Sequence, residues 1–330
     1  MKNSALSAVF AALRIAISAT LLLSAGIAGA QGAYPSKPIK LVVPYSPGTG
    51  SDVLARTVAQ SITEKTGHAV IVENREGAGS LIGSLAVTKA APDGYTIMIA
   101  ANTLVILPSQ AAKPPYDPVK DFTPIVKVAA IPLVLAVTPG LKIDSVKELI
   151  AYAKANPGKL SYGTSGPGPA QNEMELFKAA VGLDIAVVPY KSTAQAMTDL
   201  IGGTLPLLPA VGPLVLQHLQ SGRAKGLAVF DSRRSPQMPD LPSMMEEVKV
   251  PGYVATAVWY GFVAPAGTPP AIVATLGGWI QNAMAAPEVR AKLVTLGAQI
   301  TSADSAQFGA EIRNEYEKSS ALARRLGNLK

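Results

Sequence analysis

Val42-Val43-Pro44-Tyr45-Ser46-Pro47-Gly48-Thr49-Gly50-Ser51-Asp52-Val53-Leu54-Ala55-Arg56 is the stretch on which the reading of this chain turns. Two β-branched residues enter a turn of proline, glycine and small hydroxyl residues, and the turn enters a segment of helical spacing. Leu54, Val58 and Ile62 recur every four residues, with Ala55 and Ala59 beside them, which gives one apolar face. Ile39–Val43, bounded by prolines, predicts a strand buried on both faces. Ser51 is the expected N-cap and Gly67 the expected helix end. Such a turn presents unpaired backbone N–H groups where a helix dipole concentrates positive charge, a site suited to a carboxylate or phosphate.

Outward from this unit the pattern repeats. Residues 69–72 predict a strand, Gly77-Ala78-Gly79 a second glycine loop, 80–90 a helix and 95–100 a third strand, which together make a parallel sheet with helices on it. Residues 111–123, rich in proline and charge, read as an excursion over the surface. A new strand is predicted over 133–137. Ser145 and Glu148 then form a capping box, and Asn156-Pro157-Gly158 stops the helix they open. After a strand at 160–162, Gly163-Thr164-Ser165-Gly166-Pro167-Gly168 repeats the small glycine-rich turn before a helix. Strands at 185–188, 205–208 and 226–230 and a helix at 193–201 complete this second segment. A strand at 255–263 carries the chain back, followed by helices at 271–285, 287–296 and 305–326. In the last of these, Phe308, Ile312 and Tyr316 form a stripe expected to pack on the first segment.

The chain therefore reads as an α/β protein of two domains, each a central, mainly parallel sheet flanked by helices, with two crossovers at a hinge. The first domain is discontinuous, residues 31–133 plus 258–330, and the second spans 134–257. Two glycine loops facing each other across a cleft would hold an anion between them, at the carboxyl ends of parallel strands. Two crossovers suit hinge closure around a ligand.

Residues 1–30 are expected to be a signal peptide. Lys2 and Arg14 are their only charges, an apolar run follows, and Ala28-Gly29-Ala30 matches a cleavage site. That run is short for a bilayer span. The expected product is an exported, periplasmic monomer. The chain's net charge of +7 falls to +5 once the two leader charges are removed, enough to steer anionic small molecules. Basic residues interleaved with aromatics are not found, so no nucleic acid partner is expected. With no cysteine, disulfide and thiol chemistry are excluded.

Enzyme readings find little support. His68 and His218 are the only histidines and are far apart, so neither a zinc site nor any other metal site is expected. Gly163-Thr164-Ser165-Gly166 lacks the second glycine of a nucleophile elbow, which weakens a secreted hydrolase. Gly77, Gly79 and Gly83 approximate a dinucleotide fingerprint, but the next strand ends at Ala100-Ala101-Asn102 without the acid that would hold a ribose. No catalytic residue and no cofactor are expected.

A series of short motifs adds to this reading. Tyr34-Pro35-Ser36-Lys37-Pro38-Ile39, Pro44-Tyr45-Ser46-Pro47-Gly48 with Asp52 and Arg56, and Val72-Glu73-Asn74-Arg75 come first. Ala91-Pro92-Asp93-Gly94-Tyr95-Thr96, Pro115-Tyr116-Asp117-Pro118, Ala155-Asn156-Pro157-Gly158-Lys159-Leu160, Val188-Pro189-Tyr190-Lys191, Asp199-Leu200-Ile201-Gly202-Gly203 and Ala264-Pro265-Ala266-Gly267-Thr268-Pro269 follow. In order and spacing they resemble the Bug (Bordetella uptake gene) family, the periplasmic binding subunits of tripartite tricarboxylate transporters, over essentially the whole mature chain. The resemblance implies a type II-like, two-domain binding protein that closes on a small carboxylate and passes it to membrane subunits of a transporter. A protein that passes the ligand-bound form to a sensor kinase remains the alternative.

By that resemblance the first grip comprises Tyr45, Ser46, Gly48, Thr49, Gly50, Ser51 and Asp52, with Asn102. The facing grip comprises Thr164, Ser165, Gly166, Ala170 and Gln171, with Tyr190 and Lys191. Three departures stand out: Thr49 where the family commonly has a second glycine, Ser192 after Lys191 where it has glycine, and Pro209-Ala210 where many members have Phe-Asp. The missing carboxylate at 209–210 predicts a more apolar wall and a carboxylate ligand that is not an amino acid.

Overall fold

In the computed structural model, β1 (Ile39–Val43) is buried apart from Lys40, and it pairs in parallel with β2 (Val70–Asn74) and β3 (Thr96–Ala101) on its two sides. Described here are residues 34–166, 168–251, 253, 255–295 and 298–325. The expected signal peptide, and Pro167 in the second glycine loop, lie outside them. The chain divides between Pro38 and Ile39, and both sheets belong to the unit that starts at Ile39.

Helix α1 (Gly50–Thr66) follows β1. Its Leu54, Ala55, Val58, Ala59 and Ile62 are buried as the spacing predicts, each large one worth roughly 1.5–3 kcal/mol in apolar burial. Gly67 ends it at φ +74°, with its amide bonded to Thr63 O. Helix α2 (Leu81–Thr88) leads to β3, and the short α3 (Thr103–Ser109) follows at once. Then come β4 (Phe122–Ile131) and, after Pro132 alone, β5 (Leu133–Val137). Among the described residues the first sheet has six strands in the order β11-β4-β10-β3-β1-β2, where β10 is Val258–Pro265 and β11 is Gln299–Ala303.

The second sheet begins at β5. Ser145 caps α4 (Val146–Ala155): its Oγ accepts the Glu148 amide at 3.1 Å, and Glu148 reaches back to the Asp144 amide at 2.7 Å. Next are β6 (Leu160–Thr164), α5 (Pro169–Val181), β7 (Ile185–Pro189), α6 (Thr193–Ile201), β8 (Leu207–Val211), α7 (Gly212–Gln220), β9 (Lys225–Val229) and the one-turn α8 (Met244–Glu247). The sheet order is β7-β6-β8-β5-β9. The chain returns through β10, then α9 (Pro270–Met284), α10 (Pro287–Thr295), β11 and α11 (Ser305–Arg325).

Both sheets are mixed. The parallel expectation holds for β2-β1-β3 and β7-β6-β8, while β10 runs antiparallel to β3 and β4, β11 to β4, and β5 to β8 and β9. A strand reached by a crossover helix runs parallel to its predecessor, whereas strands that cross between sheets enter from the opposite end. Phe308 and Ile312 of α11 are buried against Val42, Met98 and Trp259, with Tyr316 packed beside them, as the stripe predicted. Trp259 and Phe308 meet edge to face at 5.1 Å. Gly261 of β10 lies under that ring, where a Cβ would come within 2.4 Å of Phe308 Cζ.

Several predicted elements are corrected. Strand β4 begins at Phe122, inside the stretch expected to be a surface excursion, and α3 and β11 were not expected at all. Strand β2 runs on through Glu73 and Asn74, and β8 through Pro209 and Ala210. The N-cap of α1 is Thr49, not Ser51: Thr49 is extended (φ −70°, ψ 161°) and its Oγ1 accepts the Asp52 amide.

Candidate ligand-binding site

The turn after β1 is fixed by its own side chains. Thr49 Oγ1 donates to Ser46 O at 2.9 Å and accepts from Asp52 N at 3.4 Å. Gly48 has φ +81°, a left-handed conformation that costs glycine little, and its amide donates to Asp52 Oδ2 at 3.0 Å. Asp52 is itself buried. Its carboxylate also accepts from Arg56 Nε at 3.0 Å and Asn74 Nδ2 at 2.8 Å. Burial opposes the charge, but the bonds from Arg56, Gly48 and Asn74 outweigh it and hold the Asp52 pKa below the usual range. Asp52 thus shapes the loop from within. The amides of Gly50 and Ser51, first in the helix, have no protein acceptor among the described residues.

A cluster of hydroxyl groups follows the carboxyl ends of the first sheet's parallel strands. Tyr45 Oη and Thr103 Oγ1 are 2.6 Å apart, and Ser80 Oγ donates to Thr103 Oγ1 at 3.2 Å. Tyr260 Oη lies 3.7 Å from where a Cβ on Gly50 would stand. Tyr45, Ser80 and Thr103 follow the carboxyl ends of β1, β2 and β3, and Tyr260 pairs with Ala101 at the end of β3. Burial pushes the Tyr45 and Tyr260 phenols above their ordinary pKa, so both remain O–H donors at neutral pH. The loop that brings Ser80 here is strained: Gly77, Ala78, Gly79 and Ser80 all have positive φ, and Ser80 reaches +97°. A non-glycine residue in that region costs roughly 1–3 kcal/mol and is held there by its surroundings. Ser46, exposed on the rim, donates to Glu76.

Sequence reasoning missed Ser80, Thr103 and Tyr260. Ser80 directly follows the second glycine loop, Gly77-Ala78-Gly79, so a signal was present. Asn102, by contrast, is engaged within the protein. It is buried, its Nδ2 donates to Glu315 Oε1 at 2.7 Å and Ala257 O at 3.4 Å, and its Oδ1 accepts the Trp259 amide at 2.9 Å.

In the second loop, Thr164 Oγ1 and Gly166 hold each other through bonds of 3.0 and 3.2 Å, with Gly166 at φ +116°. Ser165 Oγ is 3.3 Å from Thr193 Oγ1. Gly163 is required before them, since a Cβ there would meet Leu205 at 2.7 Å and Tyr190 at 3.2 Å. The Tyr190 amide donates to Thr164 O, and its hydroxyl to Asp199 Oδ2 at 2.9 Å, while Lys191 is exposed. Ala170 and Gln171, in the first turn of α5, are partly buried, and α5 packs against α3 and α11 of the first-sheet half. Pro209 and Ala210 are buried inside β8, and Ala210 packs with Ala196, Met197 and Leu200 of α6. Pro209 lies beyond the single pair, Tyr162–Leu207, that joins β8 to β6, so its lack of an N–H breaks no ladder there.

Among the described residues no three His, Cys, Asp or Glu side chains gather as metal ligands. His68 stacks on Trp279 with ring centroids 5.3 Å apart, and His218 is in α7 with Nδ1 buried. Neither stands in the loops just described.

Residues 54–328 match the family model described as "Tripartite tricarboxylate transporter family receptor". The curated protein BugT of Bordetella pertussis is 34% identical over 318 residues, 95% of this chain and 97% of BugT. Among solved structures, the R. palustris protein Rpa4515 with adipate is 33% identical, with a TM-score of 0.70, 89% of this chain and 98% of that one being covered. MatC from Rhodopseudomonas palustris, with bound malate, is 25% identical at a TM-score of 0.69, over 88% of this chain and all of MatC.

Proposed function

The chain belongs to the tripartite tricarboxylate transporter receptor family, a family of periplasmic solute-binding proteins, and on that premise we propose that it captures one small organic carboxylate and delivers it to the membrane subunits of such a transporter. The observation that carries the ligand class is at the start of α1. The open amide of Gly50 has the Tyr260 hydroxyl near it, that of Ser51 follows, and the Tyr45, Ser80 and Thr103 hydroxyls stand beyond the carboxyl ends of β1, β2 and β3, with no cation among these groups. Donors of this kind, at a helix N-terminus and the carboxyl ends of parallel strands, suit an anion. The relatives solved with adipate and malate carry ligands of that chemistry.

The reading treats residues 31–133 with 258–330 as one lobe and 134–257 as the other, and the sheet memberships support it. The second loop, with Thr164, Ser165, Gly166, Ala170 and Gln171, supplies the facing grip, with Tyr190 and Lys191 at its edge. Acids near the two loops are already engaged: Asp52 by three donors, Asp199 by Tyr190, Glu76 by Ser46. With Pro209-Ala210 inside β8, no carboxylate there receives an ammonium. The ligand is therefore a carboxylate without an α-amino group, it leaves chemically unchanged, and the receptor acts as a monomer.

Native mass spectrometry of freshly purified protein, followed by calorimetry with adipate, malate, aspartate and glutamate, tests this reading. A co-purified organic acid and binding of at least one plain carboxylate are expected. Tighter binding of aspartate or glutamate than of adipate and malate overturns the exclusion of amino acids. Conversion of a bound acid overturns the transport role.

A further inference from the structure

Between the two sheets the returning chain, residues 256–259, is held by a buried acid on either side. On α5, Glu173 Oε2 accepts the Thr256 amide at 3.1 Å. On α11, Glu315 Oε2 accepts Trp259 Nε1 at 2.6 Å and Oε1 accepts Asn102 Nδ2 at 2.7 Å. Asn102 in turn holds Ala257 O and the Trp259 amide. Both carboxyl groups are buried, and α5 packs directly against α11. The groups whose charge reaches this pair are Lys318, Lys127 and Glu311, while Tyr253 stands beside Glu173. Lys127 is already paired with Glu311 at 2.6 Å. Helix α3, also packed on α11, brings no titratable side chain. One free cation, Lys318, thus faces two buried acids among the described residues.

Burial raises Glu315 to about 7 against the bonds from Trp259 and Asn102, and raises Glu173 well above its ordinary value, with the Glu315 charge adding to the effect. Burial also lowers Lys318, the two acids opposing it. Burial thus favours the protonated form of both acids.

Glu173 is also close to the candidate grip. It is four residues into α5 from Pro169, about 6 Å along the helix axis. We propose that the Glu173–Lys318–Glu315 cluster is a proton-binding site of the hinge, and that capture of an anionic ligand at the start of α5 is accompanied by proton uptake there. The inference rests on the carboxylate reading above. Its sign follows from charge: a bound anion favours the protonated acid, so the cluster pKa is higher with ligand than without. Affinity is then greatest below the ligand-free pKa and falls as pH rises through the ligand-bound one.

Adipate binding to the full mature protein is measured by calorimetry at pH 7 in phosphate and in Tris, whose ionisation heats differ, and across pH 6–8. Expected are a buffer-dependent heat of the sign of proton uptake and an affinity about three- to tenfold lower at pH 8 than at pH 6. Both effects are expected to vanish in Glu315→Gln or Glu173→Gln. Equal heats in the two buffers overturn the proposal, as does uptake that persists in both variants. If adipate gives no heat at all, the ligand reading fails for that acid, and the proton site is read without ligand. Trp259 emission, in a Trp279→Phe background that removes the ring stacked on His68, is then expected to titrate near pH 7 and to be flat in Glu315→Gln. No change between pH 5 and 9 overturns the proton site itself.

Discussion

Replacing Asp52 by alanine tests whether the turn after β1 is built from inside. The side chain is 3% exposed and accepts from the Gly48 amide, Asn74 Nδ2 and Arg56 Nε. The Arg56 side chain is half exposed, so that pair is worth only about 0.5 kcal/mol. The other two are bonds to a charged acceptor, about 1.5 kcal/mol each at the low end of the range, and their donors lose their acceptor. The sum is about 3–4 kcal/mol, a fall in Tm of roughly 6–16 °C at 2–4 °C per kcal/mol. Thermal unfolding by circular dichroism measures it. Calorimetry with whichever carboxylate the wild type binds is expected to show at least tenfold weaker affinity, because Gly48 at φ +81° is no longer held and the Gly50 and Ser51 amides lose their orientation. The charge also sets a pH window. The folded pKa of Asp52 is depressed, so its stabilisation is complete above the unfolded value near 3.9 and is lost as pH falls through the folded value. The wild-type advantage over Asp52→Ala is accordingly expected to shrink below about pH 4. A variant with wild-type Tm refutes the internal role of Asp52, and a destabilised variant with wild-type affinity refutes the grip.

Three further outcomes are expected. Ser80→Gly relieves a backbone at φ +97° but removes the Oγ bonded to Thr103, so Tm rises or holds while carboxylate affinity falls, a combination that thermal melts and calorimetry resolve together. Gly261→Ala forces a Cβ into Phe308 and within 3.0 Å of Val126 O, and should cost about 2–3 kcal/mol by denaturant unfolding, with partial rescue by Phe308→Leu. Ser145→Ala removes the α4 N-cap and should cost about 1 kcal/mol with no change in ligand affinity.

The sequence made the first unit legible because each of its signals is local: a run of β-branched residues, glycine at the turn, apolar residues four apart. What it hid depended on partners far away. Strand β4 is interrupted by Pro124 and Lys127 and is separated from the wholly apolar β5 by Pro132 alone, so one strand was found where two stand. Helix α3 is apolar on all sides and carries Pro108, a composition that gives no periodicity. Ser51 is the better cap by residue type, and only the backbone of the turn gives the role to Thr49. The bond from the Asn102 amide to Glu315, 213 residues later, was likewise invisible to any local reading. The hydroxyl cluster was out of reach for the same reason, since Tyr45, Ser80, Thr103 and Tyr260 meet only when four strands are aligned.

The position of β10 sets an order of events for the newborn chain. In the first sheet it lies between β3 and β4, which do not touch each other without it, yet it is made only after the whole of the second sheet. The second sheet is drawn from one continuous span, Leu133–Val229, and can gather its contacts as that span emerges. The first must wait for residue 265, leaving β1–β3 and β4 as separate fragments of a sheet until then. Closing so long a loop is slow, because its entropy is lost before the strand contacts form. A polypeptide wired in this way leaves its first three strands and β4 unjoined until the strand at Val258–Pro265 has been made.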